Sequence, residues 1–187
     1  MNIILFGPPG AGKGTQSRYL LKKLNCFQVS TGDMLRDEIA KNSEIGKEIT
    51  NSMNQGKFVN DEIVNNLIKN ILVDPQKNGK LIFDGYPRSI SQAKNLDLLL
   101  DSSNQKIDFI FFLNVNKETI IKRIEKRKIL EKRTDDDSNI ILKRYDTYME
   151  TTKPVLDFYS KNPNFYEIDG TLEIDQITSK INDILQV

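Results

Sequence analysis

The sequence predicts an α/β domain in which helices flank a parallel β-sheet of five strands. Short apolar runs alternate along the chain with longer amphipathic stretches, which is the pattern of strands joined by crossover helices. A glycine-rich turn joins the first apolar run to the first amphipathic stretch. The length of 187 residues suits one domain with a sizeable buried core and is too short for two ordinary domains.

Five apolar runs are the predicted strands. They are rich in β-branched and aromatic residues, and Gly, Asp, Asn or Pro residues bound them. Nearly continuous apolar runs are typical of strands that are covered on both faces of a sheet. In chain order the predicted strands span residues 3–6, 27–30, 81–83, 109–113 and 165–168.

Amphipathic stretches between these runs are the predicted helices, because their apolar residues share one helical face. They span residues 16–24, 61–72, 89–100, 117–127, 138–159 and 174–185, and Pro154 is expected to kink the fifth. Two segments break the alternation. Residues 31–59 contain helical pieces without a strand, and residues 127–137 are mostly charged, so both are candidate mobile excursions from the sheet.

The composition excludes several classes of chemistry. The chain has no histidine, which excludes Ser-His-Asp triads, histidine general bases and histidine metal sites. Its one cysteine, Cys26, can form neither an internal disulfide nor a cysteine zinc cluster, so we expect no zinc. The 27 basic and 26 acidic side chains leave no basic footprint for nucleic acid.

The sequence also carries an expectation about location. No stretch is long and apolar enough to cross a membrane. The first six residues lack a basic start and lead directly into the glycine-rich turn, so they indicate a strand and not a signal peptide. We therefore expect a cytoplasmic protein that binds neither membranes nor nucleic acid.

The glycine-rich turn, residues 7–15, has the pattern of a phosphate-binding loop. It follows a predicted strand and leads into a predicted helix, as that motif requires. Glycines allow backbone N–H groups to approach phosphate oxygens closely, and the helix N-terminus adds positive potential. Lys13 supplies a point charge to the β- and γ-phosphates of a nucleotide. The predicted nucleotide-binding residues of this loop are Gly10, Ala11, Gly12, Lys13, Gly14 and Thr15.

The residue after Lys13 departs from the usual loop pattern. Serine or threonine normally follows the lysine and supplies a hydroxyl ligand to magnesium, whereas here Gly14 follows and Thr15 comes next. Asp84 stands at the end of the third apolar run, where an aspartate can hold Mg²⁺ directly or through water. We predict Mg²⁺ as the cofactor and Asp84 as its contact through water, and leave open whether Asp84 or Thr15 touches the ion directly.

Four ordered motifs resemble those of the nucleoside monophosphate kinases, and among these the short-lid adenylate kinases. They are residues 7–15, 30–36 (Ser-Thr-Gly-Asp-Met-Leu-Arg), 84–88 (Asp-Gly-Tyr-Pro-Arg) and 133–136 (Arg-Thr-Asp-Asp), and the resemblance extends from Met1 to Thr171. It implies a P-loop nucleotide kinase fold and reversible transfer of the γ-phosphoryl group of Mg-ATP to AMP, giving two ADP. Such chemistry rests on positioning and charge neutralisation, and the planar fork of arginine matches phosphate oxygens.

The resemblance assigns phosphate contacts to arginines on both sides of this reaction. Arg36 and Arg88 match residues that hold the AMP phosphate. Arg127 matches a lid-entry contact to ATP, and Arg133 and Arg144 match residues that bridge the donor and acceptor phosphates. The implied catalytic residues, with Arg123 as a further nucleotide-phosphate contact, are Lys13, Arg88, Arg123, Arg127, Arg133 and Arg144.

The resemblance also favours AMP over other monophosphates. Thr31 matches a threonine that hydrogen-bonds adenine, where uridylate and cytidylate kinases usually carry alanine. Gln92 matches a glutamine that reads the adenine edge, and its amide offers the donor and the acceptor that this edge requires. The implied AMP-binding residues are Thr31, Arg36, Lys57, Phe58, Val59, Gly85, Tyr86, Pro87, Arg88, Gln92, Arg133 and Arg144. The implied ATP-binding residues are the six loop residues given above, Arg127, and Leu172 through its backbone.

The resemblance divides the single domain into a core and two closing segments. The core comprises residues 1–29, 60–125 and 137–187, the monophosphate-binding segment residues 30–59, and the short lid residues 126–136. Closure of both segments over the nucleotides would exclude water, and a monomer is implied. Three alternatives stay open: a UMP/CMP kinase, a nucleotide-binding regulatory protein without activity, and a GTPase, weakly indicated by Asn116-Lys117-Glu118-Thr119.

Overall fold

The computed structural model describes residues 1–55, 57–131 and 138–187, and the side chains of all of these except 127–131, 138, 139 and 141. Within the described chain, five strands form one parallel sheet in the order β2-β3-β1-β4-β5. The strands are β1 (Ile3–Phe6), β2 (Phe27–Ser30), β3 (Leu81–Asp84), β4 (Phe109–Asn114) and β5 (Phe165–Asp169). The predicted fold class is confirmed, and each predicted strand lies within one residue of its observed bounds.

Helices connect the strands and cover the sheet. They are α1 (Lys13–Leu24), α2 (Thr31–Ala40), α3 (Glu44–Asn54), α4 (Asp61–Leu72), α5 (Ile90–Asp101), α6 (Lys117–Glu131), α7 (Ser138–Thr151), α8 (Lys153–Tyr159) and α9 (Ile174–Leu185), with a 3₁₀ turn at Pro75–Lys77. The predicted helical pieces of residues 31–59 are α2 and α3. Among the described helices, none has both the length and the apolar character that a membrane crossing needs.

Successive strand residues point to opposite faces of the sheet, and both faces are buried. In β1, Ile4 and Phe6 belong to one cluster of core residues, whereas Ile3 and Leu5 belong to another. The first cluster includes apolar residues of α4, α5 and α8, and the second includes those of α1, α6 and α9. Cover on both faces explains why the strands are continuous apolar runs in the sequence.

Two helix predictions need correction. α6 continues through Glu131 instead of ending at Arg127, because Lys, Arg, Leu and Glu are good helix formers despite their charge. The pattern predicted as one kinked helix over residues 138–159 is two helices, α7 and α8. Pro154 lies in the first turn of α8, where its missing N–H costs no helical hydrogen bond. The first residues of the predicted lid are therefore helical, and its residues 132–136 lie outside the described chain.

The carboxyl ends of three strands meet at one crevice. In the sheet register, Leu5 of β1 and Ser30 of β2 are both paired with Asp84 of β3. The helices that follow β1 and β3, namely α1 and α5, pack on opposite faces of the sheet. Ligands of open parallel sheets bind where neighbouring connections diverge in this way. The fold thus brings the glycine-rich loop, Asp84 and the start of α2 together.

Gly46 marks the closest contact between α2 and α3. A Cβ atom there would lie 2.1 Å from the backbone oxygen of Glu38 and 2.9 Å from the Cα atom of Ile39. Both are backbone atoms, so only separation of the two helices could relieve the clash. We expect Gly46→Ala to lower the free energy of unfolding by about 3 kcal/mol, the upper range for overpacking. Urea unfolding measures this against Glu48→Ala, an exposed control in the same helix; equal values for the two variants would contradict the tight contact.

Candidate active site

The loop between β1 and α1 ends in a helix N-terminus that has no side-chain cap. Gly10 and Gly12 adopt positive φ angles of 82° and 99°, which L side chains rarely adopt. Gly12 is the N-cap of α1, with no side-chain capping hydrogen bond and no acidic residue in the first turn. Uncapped N–H groups and the helix dipole therefore face the same crevice, which is the arrangement that binds phosphate.

The ammonium group of Lys13 lies over this loop. Its Nζ donates hydrogen bonds to the backbone oxygens of Gly7, at 2.7 Å, and of Pro8, at 3.1 Å. The side chain thus folds back from the first residue of α1 toward the end of β1. A positive charge is thus held at the crevice, beside the glycine-rich loop.

Arg123 of α6 connects the loop with the segment after β5. Its guanidinium donates to the backbone oxygens of Ala11 and Leu172, both at 3.4 Å. Two predicted ATP-binding segments that are far apart in the sequence are thereby joined by a predicted phosphate-binding arginine. At this distance the hydrogen bonds are weak, so the guanidinium can exchange them for a stronger acceptor such as a phosphate oxygen.

Asp84 lies against the residue that follows Lys13. A Cβ atom at Gly14 would stand 3.6 Å from Asp84 Oδ2, and the same oxygen accepts a hydrogen bond from Gln28 Nε2 at 3.1 Å. Among the described residues, no group of three His, Cys, Asp or Glu side chains could hold a metal. One carboxylate beside a phosphate loop suits Mg²⁺, which keeps several waters and takes further oxygens from phosphates. The donors present therefore fit a magnesium ion that arrives with a nucleotide.

A cavity beside the start of α2, here called the Thr31 cavity, gathers most of the predicted AMP-binding residues. Its empty space, open solvent included, is about 610 Å³. The residues that line it are Thr31, Gly32, Leu35, Arg36, Met53, Lys57, Phe58, Val59, Val64, Gly85, Arg88, Gln92 and Arg144.

A second cavity, here called the Lys13 cavity, adjoins the glycine-rich loop. The residues that line it are Leu5, Phe6, Gly7, Pro9, Lys13, Phe58, Gly85, Pro87, Arg88, Arg144, Tyr148 and Thr152. Arg88 and Arg144 line both cavities. The two arginines therefore stand at the boundary between the loop and the pocket at Thr31.

Arg88 is held in place from several directions. Its backbone N–H donates to Gln92 Oε1 at 2.7 Å, and its backbone oxygen accepts from the hydroxyl of Thr152 at 3.2 Å. The side-chain Nε donates to the oxygen of Gly85 at 2.6 Å, and the guanidinium lies 4.9 Å from the ring centre of Phe58. These contacts fix both the backbone and the fork of the guanidinium, as bidentate recognition of a phosphate requires.

Positive charge is concentrated around Arg88. Its pKa is lowered to about 10, chiefly by burial and also by the charges of Arg144 and Arg36, while Asp84 acts in the opposite direction. Arg88 stays protonated at neutral pH, but its charge is destabilised. An anion bound among these guanidinium groups would relieve that repulsion, so the boundary between the cavities is suited to phosphate.

The guanidinium of Arg36 contacts the first turn of its own helix, α2. It forms an ion pair with Asp33, and its guanidinium lies over Gly32, where a Cβ atom would be 3.3 Å from it. The absence of a side chain at Gly32 gives the arginine room to reach the Thr31 cavity.

Thr31 and Gln92, the predicted base-reading residues, are both buried and both line the Thr31 cavity. The hydroxyl of Thr31 donates to the oxygen of Gly85 at 2.8 Å, so toward a ligand it can act as an acceptor. The amide of Gln92 accepts from Arg88 N–H and donates from Nε2 to Asp61 Oδ1 at 2.6 Å. One N–H and one lone pair of this amide remain for a base.

The comparisons with known proteins agree with this geometry. A family model described as "Adenylate kinase" matches residues 5–164. The chain belongs to the adenylate kinase family. A protein named adenylate kinase from Pelagibacter ubique (strain HTCC1062) is 50% identical, with 100% of both chains covered. Proteins of the same name from Mycoplasma capricolum subsp. capricolum and Caulobacter sp. (strain K31) are each 40% identical over 100% of this chain, and over 100% and 99% of their own lengths.

A few predicted site residues of this adenylate kinase family member lie apart from the Thr31 cavity. Tyr86 is buried in the core, and its hydroxyl donates to Asn65 Oδ1 at 2.8 Å. Pro87 lines the Lys13 cavity instead. Arg133 and the side chain of Arg127 lie outside the described residues, so their roles stay predictions.

Two residues that no sequence motif indicated act through others in this adenylate kinase fold. Thr152 holds the backbone of Arg88, and Asp61 holds the amide of Gln92. Neither stands next to a phosphate motif in the sequence, and Asp61 has an obvious alternative as a helix-start residue. The apolar lining residues Leu35, Met53 and Val64 also escaped notice, because helical periodicity alone marks them as core.

Proposed function

We propose that the chain transfers the γ-phosphoryl group of Mg-ATP reversibly to AMP, giving two ADP. The observation that carries this proposal is the shared boundary of the two cavities. Lys13 lines one cavity, Thr31 and Gln92 line the other, and Arg88 and Arg144 line both. Membership of the adenylate kinase family supports the same reaction.

On the donor side, the loop residues bind the phosphates of ATP. The N–H groups at the start of α1 and the ammonium of Lys13 neutralise the β- and γ-phosphates. Arg123 adds a guanidinium, the backbone of Leu172 contacts the base, and Arg127 contacts ATP from the lid. The contacts of Arg123 with the loop and with Leu172 support this grouping, whereas the role of Arg127 rests on resemblance alone.

Magnesium enters as part of the substrate. When bound, Mg²⁺ neutralises charge on the β- and γ-phosphate oxygens. Asp84 would contact the ion through water, which its position beside Gly14 supports. Gly14 supplies no hydroxyl at the position where other phosphate loops carry serine or threonine, so Asp84, or Thr15 next to Gly14, would supply the contact of the protein to the ion.

On the acceptor side, Arg36 and Arg88 hold the phosphate of AMP, and Arg133 and Arg144 bridge the acceptor and the transferred group. A phosphate oxygen of AMP forms the new bond to the γ-phosphorus, and the bond from that phosphorus to the β–γ bridging oxygen breaks. AMP phosphate is already ionised near neutral pH, so no general base is needed, which agrees with a chain without histidine. Catalysis then rests on alignment and on stabilisation of charge by fixed cations.

Two segments of the chain would close over the bound nucleotides. Residues 30–59 would close over AMP and the lid, residues 126–136, over ATP, which excludes water and limits hydrolysis. Phe58 supports a link between the first segment and the core, because its ring contacts the guanidinium of Arg88. We further propose that the protein works in the cytoplasm as a monomer.

Base selection rests on Thr31 and Gln92, which line the pocket beside the AMP-phosphate arginines. With Mg-ATP as donor, we expect kcat/KM for AMP to exceed that for UMP, CMP or GMP by about a hundredfold, a margin that a hydrogen-bonding pocket can supply. Gln92→Leu should reduce this preference, because it removes the amide at nearly constant volume. Initial rates of ADP formation with each acceptor measure both effects.

The outcomes of this experiment separate the candidate functions. Preference for UMP or CMP would keep the phosphate roles and overturn the assignment of the base pocket. Binding of ATP without transfer to any acceptor would support a regulatory protein instead.

A further inference from the structure

Asp61 forms the far end of a hydrogen-bonded chain that reaches the proposed base pocket. It is the first residue of α4. Its Oδ1 accepts from Gln92 Nε2 at 2.6 Å, and its Oδ2 accepts from the hydroxyl of Ser89 at 2.7 Å. The hydroxyl of Ser89 in turn accepts from the backbone N–H of Gln92 at 3.1 Å. The carboxylate thus contacts the glutamine both directly and through the residue that caps α5.

The oxygen of the Gln92 amide is held by a group that can form only one kind of hydrogen bond. Its Oε1 accepts from the backbone N–H of Arg88, which can only donate. A carboxylate oxygen, as at Asp61, can only accept. The amide therefore lies between an obligate donor and an obligate acceptor, and a rotation of 180° would place like groups against each other at both ends.

The orientation of this amide matters because two kinds of purine present opposite patterns to it. The edge of adenine offers a donor at N6 and an acceptor at N1, whereas a 6-oxopurine offers an acceptor at O6 and a donor at N1. A glutamine that rotates freely could satisfy either pattern. A glutamine with a fixed orientation satisfies one and leaves unpaired polar groups against the other, which is costly in a buried site.

We infer that Asp61 is a positioning residue for base selection: it fixes the amide orientation of Gln92 and thereby makes the pocket reject 6-oxopurine monophosphates. This inference rests on the proposed role of Gln92 as a base-reading residue. It adds a residue outside the four sequence motifs, at the junction between residues 30–59 and the core. Asp61 itself does not line the Thr31 cavity.

Asp61→Asn is the sharpest test, because it keeps the shape of the side chain while allowing its amide to donate or accept. The ratio of kcat/KM for AMP to kcat/KM for IMP should fall by about tenfold, the order of one charge-assisted hydrogen bond. The backbone N–H of Arg88 still favours the original orientation, so selectivity is reduced and not abolished. If Asp61 had only a structural role, kcat/KM for AMP and kcat/KM for IMP would change by the same factor, and their ratio would stay constant.

Glu62→Gln is the matched control. Glu62 is exposed and stands beside Asp61 in the first turn of α4, so the variant removes the same charge from the same helix end. The ratio should equal that of the unchanged protein. Asp61→Ala is a second variant that removes the obligate acceptor, and thermal unfolding checks that each variant is folded.

Gln92→Leu separates this inference from the proposed function beneath it. If Gln92→Leu loses the preference for AMP over IMP and Asp61→Asn shares part of that loss, the inference is supported. If Gln92→Leu loses the preference while both Asp61 variants behave like Glu62→Gln, the inference is wrong and the proposed pocket stands. If Gln92→Leu keeps the preference, the assignment of Gln92 fails and the inference fails with it.

Discussion

Lys13→Ala should lower kcat/KM for ADP formation by about a thousandfold, the loss expected when a fixed cationic donor to a transition state is removed. The ammonium is held over the phosphate loop by the oxygens of Gly7 and Pro8, close to where the transferred group must pass. No other side chain of the loop carries a positive charge. Initial rates over a range of Mg-ATP concentrations, with AMP saturating, measure the loss.

Lys13→Met tests whether charge or bulk is responsible, because it keeps a long unbranched stem without the ammonium. It should lose as much activity as Lys13→Ala. Lys23→Ala removes one exposed positive charge from the other end of the same helix and should leave the rates unchanged. Near-normal rates in folded Lys13→Met would contradict the role of the ammonium.

Arg88→Ala should have an effect of similar size, about a thousandfold on kcat/KM for AMP, because the arginine stands where the two cavities meet. Arg88→Lys keeps the charge but loses the planar fork and its contact with the ring of Phe58, so we expect a loss on the order of a hundredfold. Both variants are measured with AMP varied at saturating Mg-ATP.

The stability of Arg88→Ala should change little although its activity falls. The charge of Arg88 is destabilised by burial and by Arg144 and Arg36, so its removal relieves repulsion in the empty site. Urea unfolding of Arg88→Ala should therefore show little loss of stability. Arg18→Lys is the activity control for Arg88→Lys, because it makes the same substitution at an exposed position. A large loss of stability that accompanies the loss of rate would indicate a structural role instead.

Local chemistry explains which parts of the fold the sequence predicts well. The run at Ile3–Phe6 is apolar at every position because both of its faces are buried, so strand and cover can be inferred together. The phosphate loop can also be predicted from the sequence, since glycines with positive φ and a lysine at the first helical residue are local requirements. Helix ends are harder to predict. The residues after Arg127 continue α6 because lysine and glutamate occur in helices as well as in loops.

Some residues of the candidate site could be predicted from the sequence, and others are brought there only by the packing of distant segments. Arg88 and Gln92 were predicted by resemblance, Arg88 within the motif of residues 84–88 and Gln92 four residues after it. Thr152 and Asp61, which hold them, come from α8's N-cap and from the start of α4. Their hydroxyl and carboxylate have ordinary local roles in the sequence, and only packing brings them within hydrogen-bond distance of the motif.

The element types and the phosphate loop could be predicted from the sequence, because they depend on residues that are neighbours along the chain, whereas phosphoryl transfer to AMP was predicted from the resemblance of four motifs to a known family. The tertiary structure alone decided the strand order β2-β3-β1-β4-β5, the position of Arg88 and Arg144 on the wall between two cavities, and the orientation of the Gln92 amide. These features depend on contacts between distant segments, and many sequences with the same local pattern could make different ones. The amide orientation is the clearest case, since a glutamine carries both donor and acceptor and only its neighbours in space determine which one faces the base.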